Sequence, residues 1–308
     1  MFLDILFVVV SAVLLWFGAN WIVTAAALIA RRFNVSELVI GLTIVAFGTS
    51  APEFLVTVNA AMRGLNDISL SNVVGSNIFN LGFILGLMAL IKPLQSNRTL
   101  VYRDGVLLFL TTAGILAAST LGVLGRVFGV TLVSLLTAYL VYLGMRRENV
   151  GDDELEEIEG TATWFTGGVL LAGFAAIAVG GHLMVSGATG IAEKMGVSSW
   201  VIGVTIVAAG TSLPELVTCL AASLKGKNEM LLGNLIGSDF FNFAGVLGLT
   251  TIIRPLIVSE EAFSGLIVLV CMVGLVLVML RTGWRVTRLE GGILIGINLA
   301  RWAKDFMG

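Results

Sequence analysis

Residues 35–53 read VSELVIGLTIVAFGTSAPE, and residues 197–215 read VSSWVIGVTIVAAGTSLPE. The stretches end on Glu53 and Glu215, 162 positions apart. A second pair, NVVGSNIFN ending at Asn80 and NLIGSDFFN ending at Asn242, keeps the same offset of 162. Aligned without gaps over 35–93 and 197–255, the copies share 28 of 59 positions, which marks an internal duplication.

Around these motifs the chain is strongly apolar. Its 308 residues are 57% hydrophobic and only 12% charged, with a mean hydropathy of +1.00. A soluble domain carries about a quarter charged residues, so the charge deficit points to a membrane protein. Apolar runs near the ~20 residues needed to cross a bilayer recur throughout. They fall near 3–29, 35–62, 69–91, 104–122 and 127–145, then near 164–191, 197–224, 230–253, 262–280 and 287–306. The expected fold is an all-α integral membrane protein of ten transmembrane helices. Residues 1–145 form the first five-helix repeat and 164–308 the second. The acidic segment 146–163, containing GDDELEEIEG, links them. Five crossings per copy invert the second relative to the first, an arrangement that places a transport site at the repeat interface.

Loop charge orients this scheme. Arg31, Arg32, Lys92, Arg98, Arg103, Arg146, Arg147, Lys225, Lys227, Arg281, Arg285 and Arg288 fall on the linker side. Arg63, Arg126, Lys194, Arg254, Arg301 and Lys304 fall on the other. Twelve against six places the linker in the cytoplasm and both termini outside. The first apolar run lacks a basic leader and reads as a membrane helix rather than a cleaved signal. No basic-aromatic stripe suggests nucleic acid. Cys219 and Cys271 both lie in apolar segments, which supports neither a disulfide framework nor a zinc cluster.

The duplicated motif carries the chemistry. Pro52 has no N–H, so the carbonyl of Gly48, four residues earlier, loses its helical donor. Such broken backbone at membrane depth is tolerated only inside protein or beside a cavity. Thr49 and Ser50 add hydroxyls, and Glu53 follows one helical turn later. Gly210, Thr211, Ser212, Pro214 and Glu215 repeat the set, while Ser76 with Asn80 and Ser238 with Asn242 each share one helix face at i, i+4. Oxygen ligands of this kind suit hard cations such as Na+ and Ca2+. One ionisable side chain at a helix centre costs about 2.5–3.5 kcal/mol on insertion scales, and two would also repel. A shared cation, or a proton on one of them, resolves both problems. The charge balance suggests electrogenic exchange: two carboxylates neutralise one Ca2+, whereas three Na+ leave one positive charge.

GTSAPE…GSNIFN and GTSLPE…GSDFFN, together with the ten-segment plan, resemble the α-repeats of the sodium/calcium exchanger family within the cation/Ca2+ exchanger superfamily. The resemblance implies a secondary active antiporter, not an enzyme. It would exchange Na+ for Ca2+ by alternating access, with long first and sixth helices sliding past the rest. It further implies that Glu53 and Glu215 bridge the central ion and that the Thr49 and Thr211 carbonyls complete the Ca2+ site. Ala46, Ser50, Ser76, Ala208, Ser212 and Ser238 would shape flanking Na+ sites, and Asn80 and Asn242 would face the centre. No cofactor is implied beyond the transported Ca2+ and Na+, and the chain would act as a monomer in the cell membrane. Asn242 stands where potassium-dependent relatives and some microbial ones carry Asp, which points to K+ independence. A proton-coupled exchanger using the same two glutamates is the alternative. The typical GNxxE motif of that branch is absent, whereas the hydroxyl ligands flanking each glutamate suit Na+. A channel would need no inverted duplication, and an enzyme would need a base beside Ser50 or Ser212.

Three further features have plainer expectations. Asp239 replaces the Asn of the GSN triplet and lies ~100° from the Ser238–Asn242 face, which directs it away from the site. His182, the only histidine, is expected to hydrogen-bond between helices near a membrane face. The linker cluster Asp152, Asp153, Glu154, Glu156, Glu157 and Glu159 reads as a solvated acidic segment. Trp16, Trp21, Trp164, Trp200, Trp284 and Trp302 read as interfacial anchors.

Overall fold

The computed structural model describes residues 2–145, 162–196 and 208–307. Twelve helices lie among these residues. They are α1 (Phe2–Phe33), α2 (Glu37–Thr49), α3 (Ala51–Met62), α4 (Asn66–Ile91), α5 (Leu100–Ser119) and α6 (Arg126–Met145), followed by α7 (Trp164–Lys194), α8 (Ala208–Thr211), α9 (Leu213–Leu224), α10 (Asn228–Ile253), α11 (Glu260–Arg281) and α12 (Arg288–Met307). Among the described residues seven helices are long and apolar enough to cross a membrane. The pair α2 and α3, bent by 47°, makes an eighth candidate. Over the expected segment 197–224, only 208–224 are described. The last expected segment, 287–306, is occupied by α12. It carries Arg288, Glu290, Arg301, Lys304 and Asp305 and does not number among the seven. The linker acids, Trp200 and residues 197–207 lie outside the described residues.

The bend between α2 and α3 follows from sequence. Pro52 occupies the first turn of α3, where its missing N–H costs nothing because that donor has no helical partner. Ser50, between the helices, takes φ −78°, ψ 3°, and Ser212, between α8 and α9, takes φ −91°, ψ 8°. Both lie in the sparsely allowed bridge region that is common at functional sites. Beyond the breaks, α3 and α9 each end at a left-handed glycine, Gly64 (φ +80°) and Gly226 (φ +73°). These glycines are again 162 positions apart, and each lets the chain turn directly into the next helix.

Small residues determine how the helices meet. A Cβ on Gly173 would lie 2.8 Å from Ile22, one on Gly180 3.1 Å from Leu14, and one on Gly187 2.6 Å from the Asp4 carbonyl. Partner numbers fall as residue numbers rise, so α1 and α7, the opening helices of the two copies, run antiparallel. Lys194 closes the far end with an ion pair to Asp4. Inside the bundle, Gly41 of α2 and Gly233 and Gly237 of α10 bring two backbones together. A Cβ on Gly41 would sit 2.5 Å from the Met230 carbonyl, and one on Gly233 2.6 Å from that of Leu38. Backbone approach of this kind is how apolar helices associate where lipid supplies no hydrophobic drive.

Short strand pairs tie the copies together at the two ends of α5. β1 (Leu94–Gln95) pairs antiparallel with β4 (Arg285–Val286), and β2 (Val123–Leu124) with β3 (Leu256–Ile257). Each pair joins one copy to the other. Arg98 and Arg281 stack on the Trp284 ring at the β1–β4 end, which suits the expected anchor role of that tryptophan. Trp302 instead stacks on Phe79 and Phe83, against α4.

Among the described residues four π-helical stretches interrupt the ladders: Gly41–Val45, Asn80–Ile84, Leu100–Gly105 and Phe241–Leu247. Two of them contain the motif residues Asn80 and Asn242. A π-turn adds a residue to the helical turn and rotates whatever follows, a distortion frequent at functional sites.

Candidate cation-binding site

Glu53 and Glu215 occupy the first turns of α3 and α9, just beyond the two breaks, and both are fully buried. Each is met by a serine from the opposite copy. Ser212 donates to Glu53 Oε1 at 3.2 Å, and Ser50 donates to Glu215 Oε1 at 3.5 Å. Ser238 donates to the same Glu215 oxygen at 2.9 Å and lies 2.9 Å from the Ser50 hydroxyl. Thr49 and Thr211 lie beside the opposite carboxylates, Thr49 near Glu215 and Thr211 near Glu53. The site is therefore assembled across the duplication.

Several acceptor oxygens at this centre have no donor. Glu53 Oε2, Glu215 Oε2, Asn80 Oδ1, Asn242 Oδ1 and Asp239 Oδ2 are all buried without a hydrogen-bond partner among the described residues. An unsatisfied buried acceptor ordinarily costs about 1–3 kcal/mol, and more when charged. Buried oxygens of this kind, two of them on the paired glutamates, are the type of ligand that a hard cation takes.

A cavity of about 580 Å³ adjoins the breaks, between α7 and the two GTS segments. Pro52, Gly210, Thr211, Phe174, His182 and Val185 are among its walls. The Phe174 ring and the Val185 methyls press on Gly48 and Gly210, leaving no room for a Cβ at either glycine. One long helix thus lies against both breaks.

The sodium/calcium exchanger protein family model matches residues 3–145 and 165–299, nearly the whole chain. The chain belongs to that family. This exchanger is 38% identical to CaxA of Alkalimonas amylolytica over 94% of each chain. It is 31% identical to the sodium/calcium exchanger MaX1 of Methanosarcina acetivorans, over 96% of this chain and 97% of that one. The solved structure of the sodium-calcium exchanger NCX_Mj soaked with zero Na+ and Ca2+ is similar throughout. Its TM-score is 0.87 at 31% identity, covering 98% of this chain and 99% of the other. The protein is thus a multi-pass membrane transporter of the cation/Ca2+ exchanger type, and its family is not a class of enzymes.

Most of the residues picked out from sequence converge on the exchanger's centre, with exceptions. Ser76 donates to the Val73 carbonyl at 3.1 Å rather than to a carboxylate, and receives Asn242 Nδ2 at 3.5 Å. Ala46 is buried where a Cβ on Gly237 would touch it, and its carbonyl accepts from Thr49. Ala208 begins α8, but its side chain lies outside the described residues.

Two expectations are reversed. Asp239 does not turn away from the site: it is fully buried, and its Oδ1 accepts from Asn80 Nδ2 at 3.0 Å. Ser238 and Asp239, ~100° apart on α10, both meet the other copy, Ser238 at Ser50 and Asp239 at Asn80. His182 makes no side-chain hydrogen bond among the described residues and stands exposed in the cavity wall instead. Its position on α7 opposite the GTS break explains the difference.

Sequence reasoning also passed over Asn72 and Asn234, the first letters of the second motif. Asn72 Nδ2 donates to Thr57 at 2.9 Å and to the Glu53 carbonyl at 3.3 Å. Asn234 Nδ2 donates to the Cys219 sulfur at 3.4 Å, while its Oδ1 accepts from Thr49 at 3.2 Å. Both pairs keep the 162-residue offset, which was the available signal.

Proposed function

We propose that this exchanger is a Na+/Ca2+ antiporter working by alternating access, with Glu53 and Glu215 as the shared ligands of the central ion. Thr49, Thr211, Ser50, Ser212, Ser76, Ser238, Asn80, Asn242, Ala46 and Ala208 surround them. The observation that carries this reading is the reciprocal pairing of each buried glutamate with the other copy's serine, which leaves one oxygen of each carboxylate unpartnered. Ca2+ and Na+ would compete for those oxygens, so occupancy by one excludes the other.

Ten spans in two inverted five-helix repeats fit the antiparallel packing of α1 against α7 and the reciprocal strand pairs. A cytoplasmic linker with external termini fits the basic cluster of Arg98 and Arg281 at the β1–β4 end, next to the cytosolic loops of that scheme. The protein would work as a monomer in the cell membrane, independently of K+.

The deciding experiment measures Ca2+ uptake into proteoliposomes loaded with Na+, beside vesicles given only a pH gradient. Uptake that follows the Na+ gradient and ignores pH is expected. Uptake that follows pH alone would replace Na+ by H+ as the coupling ion. Charge transfer has its own signature. An inside-negative potassium–valinomycin potential acts on a net transported charge with ~2.3 kcal/mol per 100 mV, so it should change the Na+-driven rate severalfold. A rate blind to that potential would point to electroneutral exchange.

A further inference from the structure

Asn80 and Asn242 can serve a cation only through their carbonyl oxygens, because an amide nitrogen is a donor and would repel it. Nothing intrinsic to an asparagine fixes which end faces inward. What the residue bonds on its other side decides the matter. Asn80 Nδ2 is held by Asp239 Oδ1 at 3.0 Å, and Asn242 Nδ2 is held by Asn77 Oδ1 at 2.9 Å. With both nitrogens engaged, Asn80 Oδ1 and Asn242 Oδ1 are left buried and without a donor among the described residues. All four side chains are fully buried, and each bond runs from one copy to the other. Asn77 and Asp239 are themselves equivalent positions, 162 apart.

We infer that Asp239 and Asn77 are positioning residues that set the orientation of the site's two amides, so that Asn80 and Asn242 present oxygen rather than nitrogen to the transported cation. This inference rests on the exchange reading above. The two clamps are not equivalent. A carboxylate can only accept, so Asp239 admits one orientation of Asn80. Asn77 is itself an amide, and it holds Asn242 only while its own oxygen faces that way. The remaining atoms differ accordingly: Asp239 leaves an acceptor, Oδ2, and Asn77 leaves a donor, Nδ2, each buried and unpartnered. Asn80 is thus the more rigidly oriented ligand, and the duplicated site is unequal at this level even though its glutamates match.

Outer partners that orient a metal ligand typically contribute about 10–100-fold to affinity. The test compares Na+-driven 45Ca2+ uptake by the full-length protein in proteoliposomes with Asp239→Ala, Asp239→Asn, Asn80→Ala and the Asp239→Ala/Asn80→Ala double variant. Asp239→Ala should raise the KM for Ca2+ about tenfold while the maximal rate moves less than about threefold. Asp239→Asn keeps an acceptor oxygen and should stay within about threefold of the wild-type KM. The double variant should be no worse than Asn80→Ala alone, because Asp239 acts through that ligand. An unchanged KM in Asp239→Ala, additive effects in the double variant, or an Asp239→Asn as impaired as Asp239→Ala would each overturn the inference. Asn77→Ala with Asn242→Ala repeats the comparison without altering any charge and decides the matter if Asp239→Ala does not fold; additivity there also overturns the proposal. Wild-type vesicles without Na+-driven uptake would instead overturn the exchange reading, a result distinct from any difference among variants.

Discussion

Glu215→Gln should abolish Ca2+ transport while leaving the protein folded. The carboxylate is fully buried and receives Ser238 and Ser50 on one oxygen while the other stays free. The substitution preserves shape and removes one negative charge. At a Ca2+–oxygen distance of about 2.4 Å, that charge is worth about 3 kcal/mol to a divalent ion even at the screening of bulk water. A loss of roughly a hundredfold or more in affinity follows. Stability should move the other way. In ion-free detergent two buried carboxylates sit near each other uncompensated, so neutralising one removes a repulsion and a desolvation cost. Thermal unfolding should therefore show a higher midpoint for Glu215→Gln without ions, and the upward shift that Ca2+ gives the wild type should vanish. Glu53→Gln should behave in the same way through Ser212. A Gln variant that still melts higher with added Ca2+ would show that the ion binds elsewhere.

The second large effect is steric. Gly237 precedes Ser238 on α10, where a Cβ would lie 2.7 Å from the Leu42 Cα and 2.8 Å from the Leu42 carbonyl oxygen. Both atoms are backbone, so no rotamer change can make room. Gly237→Ala must push α2 from α10 or shift Ser238, and displacements near 1 Å at a reacting site can cost about a hundredfold. Transport should fall at least tenfold in Gly237→Ala, and Gly237→Leu should fail to yield folded protein. Gly292→Ala on α12 is the control: its Cβ meets only Leu90 Cδ2, at 4.0 Å, and the change favours helix. Equal uptake by Gly237→Ala and Gly292→Ala would show that the α2–α10 contact has slack that the geometry does not suggest.

The duplication and the glutamates were legible from sequence because they are encoded locally. A 162-residue offset needs no folding to be seen, and an ionisable group beside Gly-Thr-Ser-x-Pro has few uses in a bilayer. Helix ends also fell close to their expected places, since apolar length in a membrane is set by bilayer thickness. What resisted reading were relations between helices. The 100° rule places Asp239 with respect to Ser238, not with respect to the helix from the other copy that happens to cross there. The π-helical turns at Asn80–Ile84 and Phe241–Leu247 change the rotation per residue where the face matters most. Ser76 shared every sequence property of Ser238, yet it bonds to its own helix. His182 offered only its chemistry, and the cavity it lines exists only once α7 lies across the two breaks.

The cross-copy construction of the site also bears on how the protein is made. Ser212, the hydroxyl that meets Glu53, lies 159 residues downstream of it. At synthesis rates of about 5–20 residues per second, that separation lasts roughly ten to thirty seconds. During this interval the first copy already carries an intramembrane carboxylate whose partner does not exist. The nascent half must keep Glu53 near water, or shielded by the insertion machinery, until the second copy arrives. Site closure is therefore a late event in biogenesis, set by the whole length of chain between Glu53 and Ser212.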